Sequence, residues 1–288
     1  MRLSPNNFVF FSRFVLPIVA VSALVVLIVY TFTTISGFQG HFMPNDGAEL
    51  SPQVVEIYKR QVDSRREMLK LVGAGKPPTA YSHADLYNTL VPEVFCPGLV
   101  RIGLVTDGGK WVCNPQMAPK PCAIYSLGLN NEVSFEAGIY QHTKCQIFGY
   151  DKDEMKPETI EAYKRLNASI MPALITKDTD VARGHYSFSD LLKMNNHSRI
   201  EILKIDIEGA EYSVADQITQ VPICQILIEL HGKATKMAGI LNTFSKSGFY
   251  LFHHEINGAY MTACEYSLIH ESCLKDYGAE VVLGRYLS

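Results

Sequence analysis

From about Cys96 onward, short apolar runs alternate with amphipathic stretches. CAIYSLGL (Cys122 to Leu129) reads as a strand ending in a glycine turn, and NEVSFEAGIYQ as the helix after it. CQIFGYDKD (Cys145 to Asp153) is a second strand closed by acids, and KPETIEAYKRLN is a helix or a polar excursion. ASIMPALITKD predicts a third strand region, and SFSDLLKMNN opens a helix capped by Ser187 or Ser189. EILKIDIEG is a fourth strand, AEYSVADQI a helix stopped by Pro222, and CQILIEL a fifth strand. KATKMAGILNTFSKSG is a helix with Gly248 at its C-cap. FYLFHHEI and AYMTACEYSLIH are the last strands, joined at the turn pair Asn257-Gly258. This alternation predicts an α/β fold: a doubly wound, mostly parallel sheet with helices on both faces, ending in a β-hairpin.

The N-terminal pattern is of another kind. Between Phe14 and Phe42 only His41 can carry charge near neutral pH, and FVLPIVAVSALVVLIVYTFTTI (Phe14 to Ile35) exceeds the ~20 apolar residues that span a bilayer. Arg2 and Arg13 precede it, while Asp46 and Glu49 follow, so the positive-inside rule puts the N-terminus in the cytosol. A cleaved signal peptide is the competing reading, but its apolar region is usually shorter, about 7–15 residues. The expected organisation is a cytosolic tail over 1–13, a single transmembrane signal anchor over 14–35, a stem over 36–94 and a globular domain over 95–288. Within the stem, Ser51 and Pro52 read as N-cap and first helical residue. Gln53 to Leu71 has a helical pattern, ended by GAGKPP. That helix is expected to pack on the domain or on a second copy, or else to serve as a spacer.

Composition narrows the picture. A net charge of −3 gives no electrostatic case for a nucleic-acid partner. Asn167-Ala168-Ser169 and Asn196-His197-Ser198 are N-glycosylation sequons, in keeping with a lumenal domain. The seven cysteines all follow the anchor, and their odd number leaves at least one thiol free or paired between chains. Cys113/Cys122 and Cys264/Cys273 are spaced to close local loops, and Cys224, in an apolar strand, reads as a buried free thiol. The topology expected is a single-pass type II protein of the secretory pathway, placed in the Golgi.

In open α/β sheets, ligands bind at the carboxyl ends of the strands. The first strand ends in Gly128, with Asn130 beyond it, and the second ends in Asp151. An acid at about that spacing commonly holds ribose hydroxyls. The fourth strand ends in Asp206 and Glu208, the fifth in Glu229 and His231. Each has a bland alternative: a turn glycine, a solvated acid, a helix cap, a surface histidine. Together they line one predicted edge. Asp206, Glu208 and His231 are the candidate acid–base groups, and Asp206, Glu229 and His231 a less favoured set for one divalent metal ion.

LKIDIEGAEYSVADQI resembles the signature of FkbM-type S-adenosylmethionine-dependent methyltransferases, where a K-x-D-x-E-G-x-E strand end is typical. RIGLVTDGGKWVCNP (Arg101 to Pro115), IYSLGLNNEVSFE (Ile124 to Glu136) and EYSLIH resemble a membrane-anchored branch abundant in animals. The usual acid-x-Gly-x-Gly-x-Gly motif is reduced to Gly128. The resemblance implies a seven-stranded Rossmann-like methyltransferase sheet with S-adenosylmethionine in the cleft. Gly128 and Asn130 would face its methionine part, Glu136 would begin the nearby helix, and Asp151 would take the ribose. Asp178 would approach the adenine, Asp206 the reacting centre, and Asp107, Gly108 and Gly109 would form a covering loop. The acceptor expected is a small molecule or glycan hydroxyl. The alternatives are a degenerate binding protein of the same fold, or a lumenal glycosyltransferase, whose Asp-x-Asp string is matched by Asp151-Lys152-Asp153 and Asp178-Thr179-Asp180.

Overall fold

The computed structural model describes residues 51–282 and 284–288. The membrane-spanning expectation for Phe14 to Ile35 lies outside the described residues. Among the described residues no helix is long and apolar enough to cross a membrane.

Among the described residues, two helices come first, α1 (Pro52–Gly73) and α2 (Ser82–Thr89). A short strand β1 (Val94–Phe95) and an antiparallel hairpin of β2 (Leu99–Ile102) and β3 (Lys110–Cys113) follow. The alternating part runs β4 (Ala123–Leu127), α3 (Ser134–Thr143), β5 (Gln146–Asp151), α4 (Pro157–Arg165), β6 (Ser169–Pro172), β7 (Leu174–Thr176), β8 (His185–Ser187) and α5 (Phe188–Met194). It continues as β9 (Ile200–Ile205), α6 (Glu211–Ile218), β10 (Ile223–His231) and α7 (Ala234–Lys246). The strands β11 (Phe249–Ile256), β12 (Ala263–His270) and β13 (Glu280–Val281) complete it.

The main sheet has seven strands in the order β11-β12-β10-β9-β4-β5-β6. β6, β5, β4, β9 and β10 run parallel, and β12 is antiparallel to both its neighbours. The sheet is therefore mixed and Rossmann-like, as the alternation predicts. The central strands β4 and β9 are buried along their whole length, which is what coverage of both faces demands. One face carries a core of Leu203, Ile205, Ile226, Met237 and Phe244 with α5, α6 and α7; the other carries Ile124, Ile202, Phe135 and Tyr163 with α3, α4 and the β2–β3 hairpin.

Helix α1 packs against α2 and α7, and its Leu69 and Val72 join the first core. Arg66 donates to the carbonyls of Arg285 and Ser288, tying this helix to the C-terminal segment. Glu93, wholly buried, accepts the backbone N–H groups of Leu251, Tyr286 and Leu287. Residues 52–94 thus share one body with the sheet.

Several expectations need correction. The third strand region splits, because only β6 joins the main sheet while β7 pairs with β8. Pro172 lacks the N–H that would continue the ladder. The last hairpin turns through residues 257–262 rather than a two-residue turn. Asn257 Oδ1 instead accepts from Ala259 and Tyr260, a local Asx-type turn that widens the loop. The cysteines pair as Cys96–Cys113, Cys122–Cys145 and Cys224–Cys273, and the free thiol is Cys264, not Cys224. Proximity along the chain misled here: Cys113 and Cys122 end and precede strands that belong to different sheets. The sequon residues Asn167 and Asn196 are exposed, both in left-handed turn conformations.

Candidate active site

A cavity of about 700 Å³ opens where β4, β5, β9 and β10 end. That volume suits a small-molecule site, and the place is where α/β sheets bind ligands. Asp107 and Gly108, from the β2–β3 turn, close one flank; Asn257, Tyr260 and Thr262, from the last hairpin, close another.

On the β4–β5 side, Gly128 takes φ +81°, and a Cβ there would lie 1.7 Å from the carbonyl oxygen of Asp206. The glycine is required by the close approach of the β4 and β9 ends. Asp151 organises the next loop: its Oδ2 accepts the N–H groups of Leu129 and Asn130 at 2.6 and 2.7 Å, and its Oδ1 that of Asp153 at 2.9 Å. Lys204 lies on the cavity floor with its Nζ donating to the Gly128 carbonyl at 2.9 Å.

On the β9–β10 side a charged cluster gathers. Asp206, Glu229 and His231 each offer a ligand atom, all within 4.8 Å of one another. Lys110, 1% exposed, reaches in from β3 beneath them. Its Nζ bonds to Glu265 of β12, and lies 3.6 Å from Asp206 Oδ2 and 4.0 Å from Glu229 Oε2. Burial opposes the Lys110 charge, but Glu265, Asp206 and Glu229 outweigh it and raise its pKa. Burial would likewise raise Asp206, yet the Lys110 and Lys204 ammonium groups hold its carboxyl below the usual range. Glu229 goes the other way, pushed up to about 8 by burial and by the charges of Glu265 and Asp206. His231 is raised to about 9, chiefly by the Glu211 carboxylate 3.5 Å from its Nδ1, an ion-pair distance. His231 is therefore an imidazolium at neutral pH. Asp206, Glu229 and His231 are close enough to hold a metal ion only if His231 gives up its proton, and Lys110 already supplies a positive charge at that place.

The structure brings together most of the residues expected at the site. Asp107, Gly108, Gly128, Asn130, Asp151, Asp206, Glu208, Glu229 and His231 all line the cavity. Gly109 is absent from the lining; a Cβ on it would meet the Leu104 carbonyl at 2.2 Å, so it shapes the loop instead. Glu136 is wholly buried beneath the cavity, accepting from Ser126 Oγ at 2.5 Å. Asp178 stands outside the lining, its carbonyl accepting from Thr176. Glu208 takes φ +57° and is largely exposed, 3.7 Å from His231 Nε2. Glu208 does not take the helix-capping role considered for it: α6 has Ala210 at its N-cap and no side-chain cap, while Glu211 Oε1 accepts the Ile207 N–H of the preceding turn at 2.9 Å.

Lys110, Lys204, Glu211, Glu265 and Asn257 were not among the expected site residues. Asn257 reaches toward Glu229 Oε1 at 3.4 Å. The signal available for Glu211 and Lys204 was their place inside the K-x-D-x-E-G-x-E string. Lys110 and Glu265 lay inside the strings RIGLVTDGGKWVCNP and EYSLIH, but nothing in either string set them against Asp206. Of the two Asp-x-Asp strings, Asp151 is engaged by backbone amides and Asp180 pairs with Arg183, so neither presents two free carboxylates.

A family model described as a methyltransferase domain matches residues 53–270. No curated protein sequence matches. Similar solved structures include M. capricolum TrmK in complex with S-adenosyl-homocysteine, at 9% identity and a TM-score of 0.37, covering 55% of this chain and 66% of that one. About a third of that relative therefore has no counterpart here. A putative RNA methyltransferase from Pyrococcus horikoshii is similar at 12% identity and a TM-score of 0.34, over 51% of this chain and 74% of that one. A ribosomal protein L11 methylase from Lactobacillus delbrueckii subsp. bulgaricus is similar at 12% identity and a TM-score of 0.34, over 52% and 71%.

Proposed function

We propose, from the premise that this chain belongs to the methyltransferase-domain family, that it methylates a hydroxyl group of a glycan-like acceptor. The chain is an S-adenosylmethionine-dependent methyltransferase, and the donor belongs in the strand-edge cavity. The residues fit it: the cavity floor carries a buried ammonium, Lys204, and the β4–β5 side carries backbone polar groups. When bound, S-adenosylmethionine supplies an electrophilic methyl group carried on a sulfonium. Gly128, Asn130 and Asp151 would hold it, with Asp107 and Gly108 covering it.

The observation that carries the acceptor reading is the charge state of the β9–β10 side. A hydroxyl acceptor must lose a proton, and the group that takes it must be ionised and within reach. Asp206 meets that condition because two ammonium groups hold it ionised. His231, its pKa raised by Glu211, is poorly suited to take that proton and offers its ring N–H groups to the acceptor instead. Glu208, Asn257 and Thr262 add polar acceptors and donors to this side of the cavity, and Tyr260, exposed at the mouth, offers a flat face to a ring. Lys110 makes the metal-free form of this chemistry the favoured one. Three disulfides and two exposed sequons support an oxidising, secretory-pathway location, reached through the expected N-terminal anchor as a type II protein of the Golgi.

Methyl-labelled S-adenosylmethionine and secretory glycoproteins test this with the full chain. Label is expected in the enzymatically released glycans. Asp206→Asn should lower transfer by about 10²–10⁴-fold in protein that still folds. Label confined to protein, or full activity in the variant, would defeat the reading.

A further inference from the structure

Acids dominate the cavity lining, with Lys152 and Lys156 exposed at its rim. Lys204 differs, because it is 4% exposed and lies on the floor. An ammonium has three N–H donors. One goes to the Gly128 carbonyl at 2.9 Å, and a second faces Glu136 Oε1 at 3.8 Å, beyond hydrogen-bond reach. Glu136 is itself held by Ser126 Oγ, and its Oε2 is buried without a partner. Ser126, Glu136 and Lys204 thus form a buried chain that fixes a positive charge under the cavity with donors unspent. Buried donors are seldom left so.

Lys204 and Asp206, two positions apart on one strand edge, both face the cavity, one at the Gly128 end and one at the charged cluster. We infer that Lys204 binds the α-carboxylate of the donor's amino-acid portion, and so makes the site selective for a donor that carries one. The assignment rests on the S-adenosylmethionine reading above. It supplies, from β9, an anchor that the reduced glycine motif after β4 does not.

Calorimetry on the full chain in detergent tests it, with three probes: S-adenosylhomocysteine, its decarboxylated analogue and 5′-methylthioadenosine. The wild-type protein should bind S-adenosylhomocysteine about 10- to 100-fold more tightly than the decarboxylated analogue, the worth of a charge-assisted hydrogen bond. Lys204→Met should lose that preference while binding 5′-methylthioadenosine as the wild type does. Equal wild-type affinity for the first two probes would overturn the assignment and leave the cofactor reading intact. So would a preference that survives in Lys204→Met. Failure of the wild type to bind S-adenosylhomocysteine at all would overturn the cofactor reading and the assignment with it. The wild-type comparison decides the matter even if the variant does not fold.

Discussion

Replacing Lys110 with methionine removes a charge and keeps an unbranched side chain only one heavy atom shorter. The new residue would still fill its space, so the packing cost should be small. What changes is electrostatic: Glu265, Asp206 and Glu229 lose the ammonium that lies against all three. Removing one partner of a buried ion pair costs about 3–5 kcal/mol, against a total stability of about 5–15 kcal/mol. The pH dependence gives the test its edge. With Lys110 present, Asp206 has a depressed pKa, so its share of stability holds above the unfolded value and is lost as pH falls through the folded one. Without Lys110, burial raises the carboxyl pKa values, and a raised carboxyl destabilises the fold until it is protonated. The loss in Lys110→Met should therefore be largest near pH 8 and shrink toward pH 5. Trp111, the chain's only tryptophan, is the neighbouring residue and stacks 4.4 Å from His253, so denaturant unfolding of the disulfide-intact chain can be read by its fluorescence. A loss under about 1 kcal/mol at both pH values would refute the reasoning, since that is the worth of an exposed pair.

Gly128→Ala should fail to give folded protein, because its Cβ would meet the Asp206 carbonyl at 1.7 Å and φ there is +81°; a melting temperature within a few degrees of wild type would contradict this. Non-reducing peptide maps should show Cys96–Cys113, Cys122–Cys145 and Cys224–Cys273. Cys264 should resist alkylation until the chain is unfolded, being fully buried with its thiol pushed up to about 12 by burial, and rapid native labelling would disprove its placement. His231 has a raised pKa, so its stabilising share is complete below its unfolded value of about 6.5 and is lost as pH rises through about 9. Melting curves across that window should fall for the wild type and flatten in His231→Gln.

The strand ends were legible because alternation locates them without any knowledge of contacts. Asp151, Asp206, Glu229 and His231 each close an apolar run, and each lines the cavity. The residues that tune them were not legible for the same reason. Lys110 sits on β3, outside the main sheet, and Glu265 on β12 comes from the chain's last hairpin. Only the tertiary fold sets them against Asp206. Glu208 and Glu211 show a finer limit. Both are acids beside the same turn, and periodicity alone does not say which braces it; Glu208, in a left-handed backbone conformation, is largely exposed, while Glu211 accepts the Ile207 N–H. The disulfides went unread because loop length along the chain says little about which Cβ atoms meet across sheets.

The buried carboxylate of Glu93 bears on how the fold closes. Of its three amide donors, Leu251 lies in β11, and Tyr286 and Leu287 lie in the segment that follows β13. Glu93 itself stands between α2 and β1, so one side chain staples three stretches of chain that are far apart in sequence. A buried carboxylate without partners is costly, so this corner cannot close until all three stretches are in place. The acid thus works as a checkpoint on assembly: a variant that unseats residues 286–287 leaves it unsatisfied at the junction of α2, β1 and β11, and the α2 corner should loosen with it.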